Sequence, residues 1–196
     1  MNSAVRFSLL VIAMVALGFG AYLLGSWLRP KPAPAGTELN NPVAVTGLEL
    51  VDHHGAAVDL AADFGGDVTL VFFGFTRCPD VCPLTMARLG KAYVDAGEPD
   101  DLSIVMVTVD PEYDTPAVMA DYVGRFHPDF VGLTGSNSQV ATAARAFFAG
   151  YSGSDVQIVH TDAVAVVDRT GMMRYVYSAD AVVSIGADLP QLLRSL

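Results

Sequence analysis

Apolar and polar positions divide the chain into an uncharged N-terminal run and a longer region of short elements. The run from Phe7 to Leu28 has no charged residue. A helix of that length spans about 33 Å at about 1.5 Å per residue, which is enough to cross a bilayer. Because the run is longer than the apolar core of a cleaved signal peptide, the pattern predicts an uncleaved transmembrane signal anchor over residues 1–29.

Residues 30–42 contain four prolines, which indicates a semi-extended linker. The remaining residues, 43–196, show apolar strand-like runs that alternate with stretches of helical period. The predicted order is hairpin, strand, helix, strand, helix, helix, hairpin and helix. This order predicts an α/β domain in which helices flank both faces of a mixed sheet, the thioredoxin-like arrangement.

The two cysteines of the chain, Cys78 and Cys82, lie between the first apolar strand, 68–73, and the helical stretch that follows it. Backbone N–H groups and the helix dipole favour thiolate over thiol at such a place. Thiolates are redox nucleophiles and ligands for soft metals. A purely structural disulfide is the alternative, but a bridge that closes three residues restricts the unfolded chain little.

His160 is the third candidate ligand, because it directly precedes the predicted strand at 163–167. Thioredoxins carry a cis-proline at the equivalent place beside their dithiol, and this chain has no proline between positions 129 and 189. Two thiolates and an imidazole make a soft three-ligand site that suits Cu(I).

Other polar residues have less specific interpretations. His53 and His54 fall in a polar turn, and His127 lies at a predicted helix end, so we interpret all three as structural or exposed. Asp80 and Asp110 flank the dithiol region as candidate acceptors that orient a ligand. For Asp110, a cap in the Asp-Pro turn is an equally good interpretation.

The net charge of −10 and the sequence pI of about 4.5 restrict the partners of the chain. They argue against nucleic acid and against a polybasic membrane-binding surface. They suit a protein partner with a positive patch.

The motifs resemble those of the Sco/SenC family of copper chaperones over residues 43–196. The matching stretches are Phe73-Gly74-Phe75-Thr76-Arg77-Cys78-Pro79-Asp80-Val81-Cys82-Pro83, Thr108-Val109-Asp110-Pro111, Asp114-Thr115-Pro116 and His160-Thr161. Two features depart from the family pattern. Val159 stands where the family usually has an aspartate before the histidine, and the segment between the Phe147 helix and His160 is shorter than in many members.

The resemblance implies a thioredoxin-like fold and a membrane anchor that places the domain on the extracytoplasmic (periplasmic) side. It also implies copper as the cofactor, held by Cys78, Cys82 and His160 as Cu(I), with Cu(II) left open. The implied role is delivery to the binuclear copper site of cytochrome c oxidase, and another copper chaperone or a thiol reductase is a further expected partner.

Two other functions compete with an assembly factor that is not an enzyme. A thiol–disulfide oxidoreductase uses the same dithiol through a mixed disulfide, although the three-residue spacing and the absent proline argue against a general thioredoxin. A peroxidase of peroxiredoxin type needs threonine three residues before its reactive cysteine, where this chain has Phe75.

Overall fold

The computed structural model describes residues 2–27, 32–153 and 158–196, and the chain divides into two compact units, Met1–Ala33 and Pro34–Leu196. The first unit contains one helix, α1 (Ser3–Trp27), over the predicted anchor. Within the described ranges no helix has both the length and the hydropathy of a membrane span. The predicted helix is therefore confirmed, but its transmembrane character is not supported.

The second unit is built on an eight-stranded mixed sheet. In chain order its strands are β1 (Thr37–Ala44), β2 (Glu49–Asp52), β3 (Ala57–Asp59), β4 (Val68–Gly74), β5 (Leu102–Thr108), β6 (Val131–Thr134), β9 (Ala163–Val167) and β10 (Met172–Ser178), and a separate ladder joins β7 (Tyr151–Ser152) to β8 (Val159–His160). The spatial order is β1-β10-β9-β4-β5-β6-β2-β3. The central strands β4, β5 and β6 are parallel, and the other neighbours are antiparallel.

The helices of this unit are α2 (Leu60–Asp63), α3 (Val81–Asp95), α4 (Pro116–Val123), α5 (Asn137–Ala146) and α6 (Ile185–Ser195). Thr115 caps α4 by accepting from the N–H of Val118, as the Thr-Pro pair predicts. Ser136 and Gln139 form a capping box at the start of α5.

The two faces of the sheet can be assigned from successive residues of β4, whose side chains alternate between faces. The ring of Phe73 lies 5.3 Å from that of Phe147, which follows α5. A Cβ atom built at Gly74, on the other face, would meet the ring of Phe72 and the sulfur of Cys82 in α3. Helices therefore cover both faces, and the predicted thioredoxin-like architecture is confirmed.

The predicted linker, 30–42, is shorter in the structure. Strand β1 begins at Thr37 and pairs antiparallel with β10, with Thr37 opposite Val176. Pro42 is tolerated because β1 is an edge strand whose register shifts between Glu38 and Val43. Proline content alone indicated a linker, whereas pairing with a distant strand decides the structure.

Candidate metal centre

The dithiol loop, residues 75–80, joins the end of β4 to the start of α3. Cys78 is half-buried in this loop, and Cys82 is fully buried in the first turn of the helix. The backbone N–H of Cys82 donates to Sγ of Cys78 at 3.5 Å. The sulfur of Cys78 therefore lies at the helix N-terminus, where the sequence predicts it.

Gly74 makes room for the buried sulfur. A Cβ atom at this position would lie 3.0 Å from Sγ of Cys82 and 2.7 Å from Cε1 of Phe72. Both contacts are closer than real Cβ atoms normally tolerate. The glycine that ends β4 thus allows the close approach of the helix that carries the second thiol.

The two thiols differ in their surroundings. Burial raises the pKa of the Cys82 thiol well above its usual range, and the negative charge of Cys78 adds to this effect. The N–H of Phe75 opposes it by donating to the Cys82 sulfur. The expectation of a thiolate is therefore wrong for the metal-free state of Cys82, because the cost of burying a charged sulfur outweighs the hydrogen bond from Phe75.

A buried aspartate holds the dithiol loop from the other side. Asp114 is fully buried and accepts from the backbone N–H of Thr76 at 3.0 Å. Its carboxylate also accepts from the hydroxyls of Thr76 and Thr108, each at 2.5 Å. Sequence reasoning noted Asp114 only within a family motif and assigned it no role. The neighbouring Thr115-Pro116 pair predicts a helix cap, but it does not predict the contact of Asp114 with Thr76, 38 residues away.

Arg77 links the loop to the end of β5. Its Nη2 lies 2.5 Å from Oδ2 of Asp110, and its guanidinium lies 4.1 Å from the ring centroid of Tyr113. The carboxylate of Asp110 is therefore an ion-pair partner of Arg77, which neither of its two interpretations foresaw. Asp80 is exposed and makes no side-chain capping hydrogen bond, although it precedes α3.

The backbone of His160 lies in β8 opposite Tyr151, but its side chain lies outside what the structure describes. Its neighbour two residues on, Asp162, accepts from the hydroxyl of Thr85 at 3.3 Å. Thr85 follows Cys82 in α3, so this hydrogen bond ties the histidine segment to the helix that carries the second thiol. Among the described side chains, no group of three or more His, Cys, Asp or Glu residues is arranged to hold a metal ion.

The other histidines have structural partners. Nδ1 of His53 accepts from the N–H of Gly132 at 3.0 Å, and burial lowers the pKa of its imidazole. His127 packs edge-on against Tyr93, with ring centroids 4.8 Å apart. His54 is exposed. These contacts are consistent with the interpretation of all three as structural or exposed residues.

Comparison with known proteins places this arrangement in a family. The chain is 35% identical over 191 residues to the mitochondrial SCO2 homolog of Bos taurus, which covers 88% of this chain and 70% of that protein. Among solved structures, apo Sco1 from Thermus thermophilus is 35% identical with a TM-score of 0.74, covering 86% of this chain and all of that one. Arabidopsis thaliana ScoI with copper bound is 28% identical with a TM-score of 0.71, covering 78% of this chain and all of that one.

A family model described as SCO1/SenC matches residues 38–188. This range contains the dithiol loop, the buried aspartate that holds it and the histidine segment. The chain belongs to the SCO1/SenC family.

Proposed function

We propose that the chain is a copper-binding assembly factor, not an enzyme, and that Cys78, Cys82 and His160 hold the metal. The observation that carries the proposal is a pair of cysteines that form no disulfide, Cys78 just before α3 and Cys82 in its first turn. The same helix carries Thr85, which hydrogen-bonds the histidine segment. A relative of known structure has been solved with copper bound, which supports copper as the metal.

The donor set fits Cu(I). Thiolates are soft ligands, and a three-coordinate site with one imidazole matches the preference of this ion. A bound cation also replaces the proton on the buried thiol, so the cost of a buried thiolate falls when metal binds. Metal loading of Cys82 therefore releases a proton.

The proposed client is the binuclear copper site of cytochrome c oxidase, as the family resemblance implies. Another copper chaperone or a thiol reductase would supply the metal or keep the dithiol reduced. The net charge of −10 suits a partner that presents a positive patch.

A metal assay tests the ligands. With the reduced protein, Cys78→Ser and Cys82→Ser are expected to nearly abolish Cu(I) retention against a competing chelator, because each removes one of two soft donors. His160→Ala is expected to weaken retention less, since two sulfurs still hold Cu(I) in near-linear geometry. His127→Ala is the matched control and should retain wild-type affinity. Full copper occupancy in the double Cys→Ser variant would exclude this site.

A thiol–disulfide oxidoreductase is the second candidate function, and the half-buried sulfur of Cys78 at the helix N-terminus favours it. Oxidation and copper loading compete for the same sulfurs. Each tenfold preference of Cu(I) for the dithiol should shift the apparent reduction potential by about 30 mV. A potential that copper leaves unchanged would favour the oxidoreductase.

The sequence also leads us to propose that α1 anchors the chain, with residues 43–196 on the extracytoplasmic side. The uncharged run from Phe7 to Leu28 supports this proposal. An alkaline phosphatase fused to the carboxyl terminus should be active, and the protein should stay in the membrane fraction after a carbonate wash. Release by the wash, or a silent fusion beside an active cytoplasmic reporter, would contradict the proposal.

A further inference from the structure

A side-chain hydrogen bond joins the segment that carries His160 to the helix that carries Cys82. The hydroxyl of Thr85 in α3 donates to Oδ1 of Asp162 at 3.3 Å, and the two residues are 77 positions apart in the chain. Thr85 is fully buried, whereas Asp162 is half-buried. A buried hydroxyl needs a hydrogen-bond partner, and the carboxylate supplies it. The bond is therefore a tertiary contact and not part of a local turn.

Both ends of this bond lie close in the chain to a proposed metal ligand. Thr85 follows Cys82 by three residues in the same helix, and residues at that spacing are neighbours on one face, with Cβ atoms about 5–6 Å apart. Asp162 follows His160 by two residues, a stretch that spans at most about 7 Å. The bond therefore limits how far the backbone of His160 can lie from Cys82.

Other hydrogen bonds of the histidine segment, residues 159–162, close its hairpin. The N–H of Thr161 donates to the carbonyl of Gly150 at 2.8 Å, and the N–H of Gly150 donates to the hydroxyl of Thr161 at 3.1 Å. The resulting β7–β8 ladder is separate from the eight-stranded sheet, and the main sheet resumes only at Ala163, the first residue of β9. The bond from Thr85 to Asp162 therefore holds the residue directly before the sheet and extends the order of the sheet toward His160.

We propose that Thr85 and Asp162 are positioning residues of the metal centre, which hold His160 at the distance from Cys82 that three-coordinate copper binding needs. The pair acts through the placement of the backbone and not by contact with the metal. A ligand that is held in place before the metal arrives loses less conformational freedom on binding, so the affinity is higher. The inference rests on the proposed function, since it requires His160 to be a ligand.

A double-mutant cycle tests this route. Thr85→Val keeps the shape of the side chain and removes the donor, so Cu(I) affinity against a competing chelator should fall roughly tenfold, and by no more than in His160→Ala. In the His160→Ala background the same change should have no effect, because no imidazole is left to position. Thr85→Ser keeps the donor and should keep wild-type affinity. An effect of Thr85→Val that persists without the imidazole would overturn the inference.

Thr170→Val is the matched control, because it also removes a hydroxyl that donates to an aspartate, at 2.6 Å. It should lower the melting temperature, as Thr85→Val does, and leave copper affinity unchanged. If Thr85→Val does not fold, Asp162→Ala removes the acceptor at a half-buried position instead. It should give the same loss of copper affinity, and again only where His160 is present.

Hydrogen exchange in the metal-free protein provides a readout that does not depend on copper. Backbone amides of residues 159–162 should exchange faster in Thr85→Val than in the wild type, whereas Thr170→Val should leave them unchanged. Unchanged exchange in Thr85→Val, or equal copper affinities for Thr85→Val and the wild type, overturns the inference alone. A wild type that binds no Cu(I), or a His160→Ala variant with wild-type affinity, overturns the proposed ligand set and the inference with it.

Discussion

Two buried aspartates have different roles in the fold. Asp114 lies between β5 and α4, and Asp168 lies in the turn between β9 and β10. Asp114 is reached by Thr76 from 38 residues away in sequence. Asp168 is held by its own turn, because Oδ1 accepts from Thr170 and from the N–H of Met172. One carboxylate joins distant elements beside the dithiol, whereas the other closes the turn between β9 and β10.

The difference teaches where function enters the fold. A turn that satisfies its own carboxylate, as Asp168 does, makes no hydrogen bond through that carboxylate to the dithiol loop. A carboxylate shared between the dithiol loop and the strand end at Thr108 ties Thr76, two residues before Cys78, to the sheet. We therefore expect changes at Asp168 to alter stability alone and changes at Asp114 to alter both stability and metal binding.

The largest expected effect comes from Asp114→Ala. It leaves three donors without their charged acceptor, so the free energy of unfolding should fall by about 3 kcal/mol or more. Copper retention should fall as well, because Thr76 lies two residues before Cys78. Asp168→Ala, compared in the same urea titrations and chelator competitions, should cost about 1–2 kcal/mol and leave copper affinity unchanged.

Asp114→Asn provides a second variant if the alanine protein does not fold. Its amide keeps one acceptor oxygen and the shape of the side chain, so losses of intermediate size are expected for both measurements. Equal copper affinity in the folded Asp114 variants and the wild type would show that the loop does not depend on this carboxylate, and the comparison would fail.

Removal of one hydroxyl donor from each aspartate tests the same comparison with a smaller expected effect. Thr76→Val removes one donor to Asp114, and Thr170→Val removes the corresponding donor to Asp168. Each should cost about 1 kcal/mol of unfolding free energy, but only Thr76→Val should change the rate at which Cys78 is alkylated. Thr76→Ser should restore the wild-type rate. Identical alkylation rates in the wild type, Thr76→Val and Thr170→Val would contradict a role of Thr76 in holding the loop.

The sequence predicted what depends on local pattern and missed what depends on distant packing. The strand, dithiol and helix order, the Thr115 cap and the β9–β10 hairpin follow from neighbouring residues, and the structure confirms them. The prediction of a thiolate at Cys82 was wrong for the metal-free protein. The sulfur is buried by close packing against Gly74, which is a tertiary contact that the local sequence does not reveal. The same reason applies to β1, which pairs with β10 although it contains Pro42. All three predicted metal ligands stay predictions: the structure brings the sulfur of Cys78 to the helix that carries Cys82, and the side chain of His160 lies outside what it describes.

The smallest expected effect is the pH dependence that Asp168 contributes. Burial alone would raise the pKa of its carboxyl, but the hydrogen bonds from Thr170 and Met172, together with the charge of Arg174, outweigh it and lower the pKa below the ordinary value of 3.8. The folded state therefore binds the proton less readily than the unfolded state. The stability from this carboxylate is fully present above about pH 4 and is lost as the pH falls through the lower, folded value.

Urea titrations of wild type and Asp168→Asn over an acidic pH series measure this contribution. The two unfolding free energies should differ at neutral pH and converge below the folded pKa, where the wild-type carboxyl is also neutral. Parallel curves over the whole series would show that the turn does not depend on the charge of Asp168. Copper affinity at neutral pH should be the same for both proteins, since none of the contacts that the structure shows for this carboxylate reaches the dithiol loop. A loss of affinity in Asp168→Asn would remove the distinction between a local and a shared aspartate.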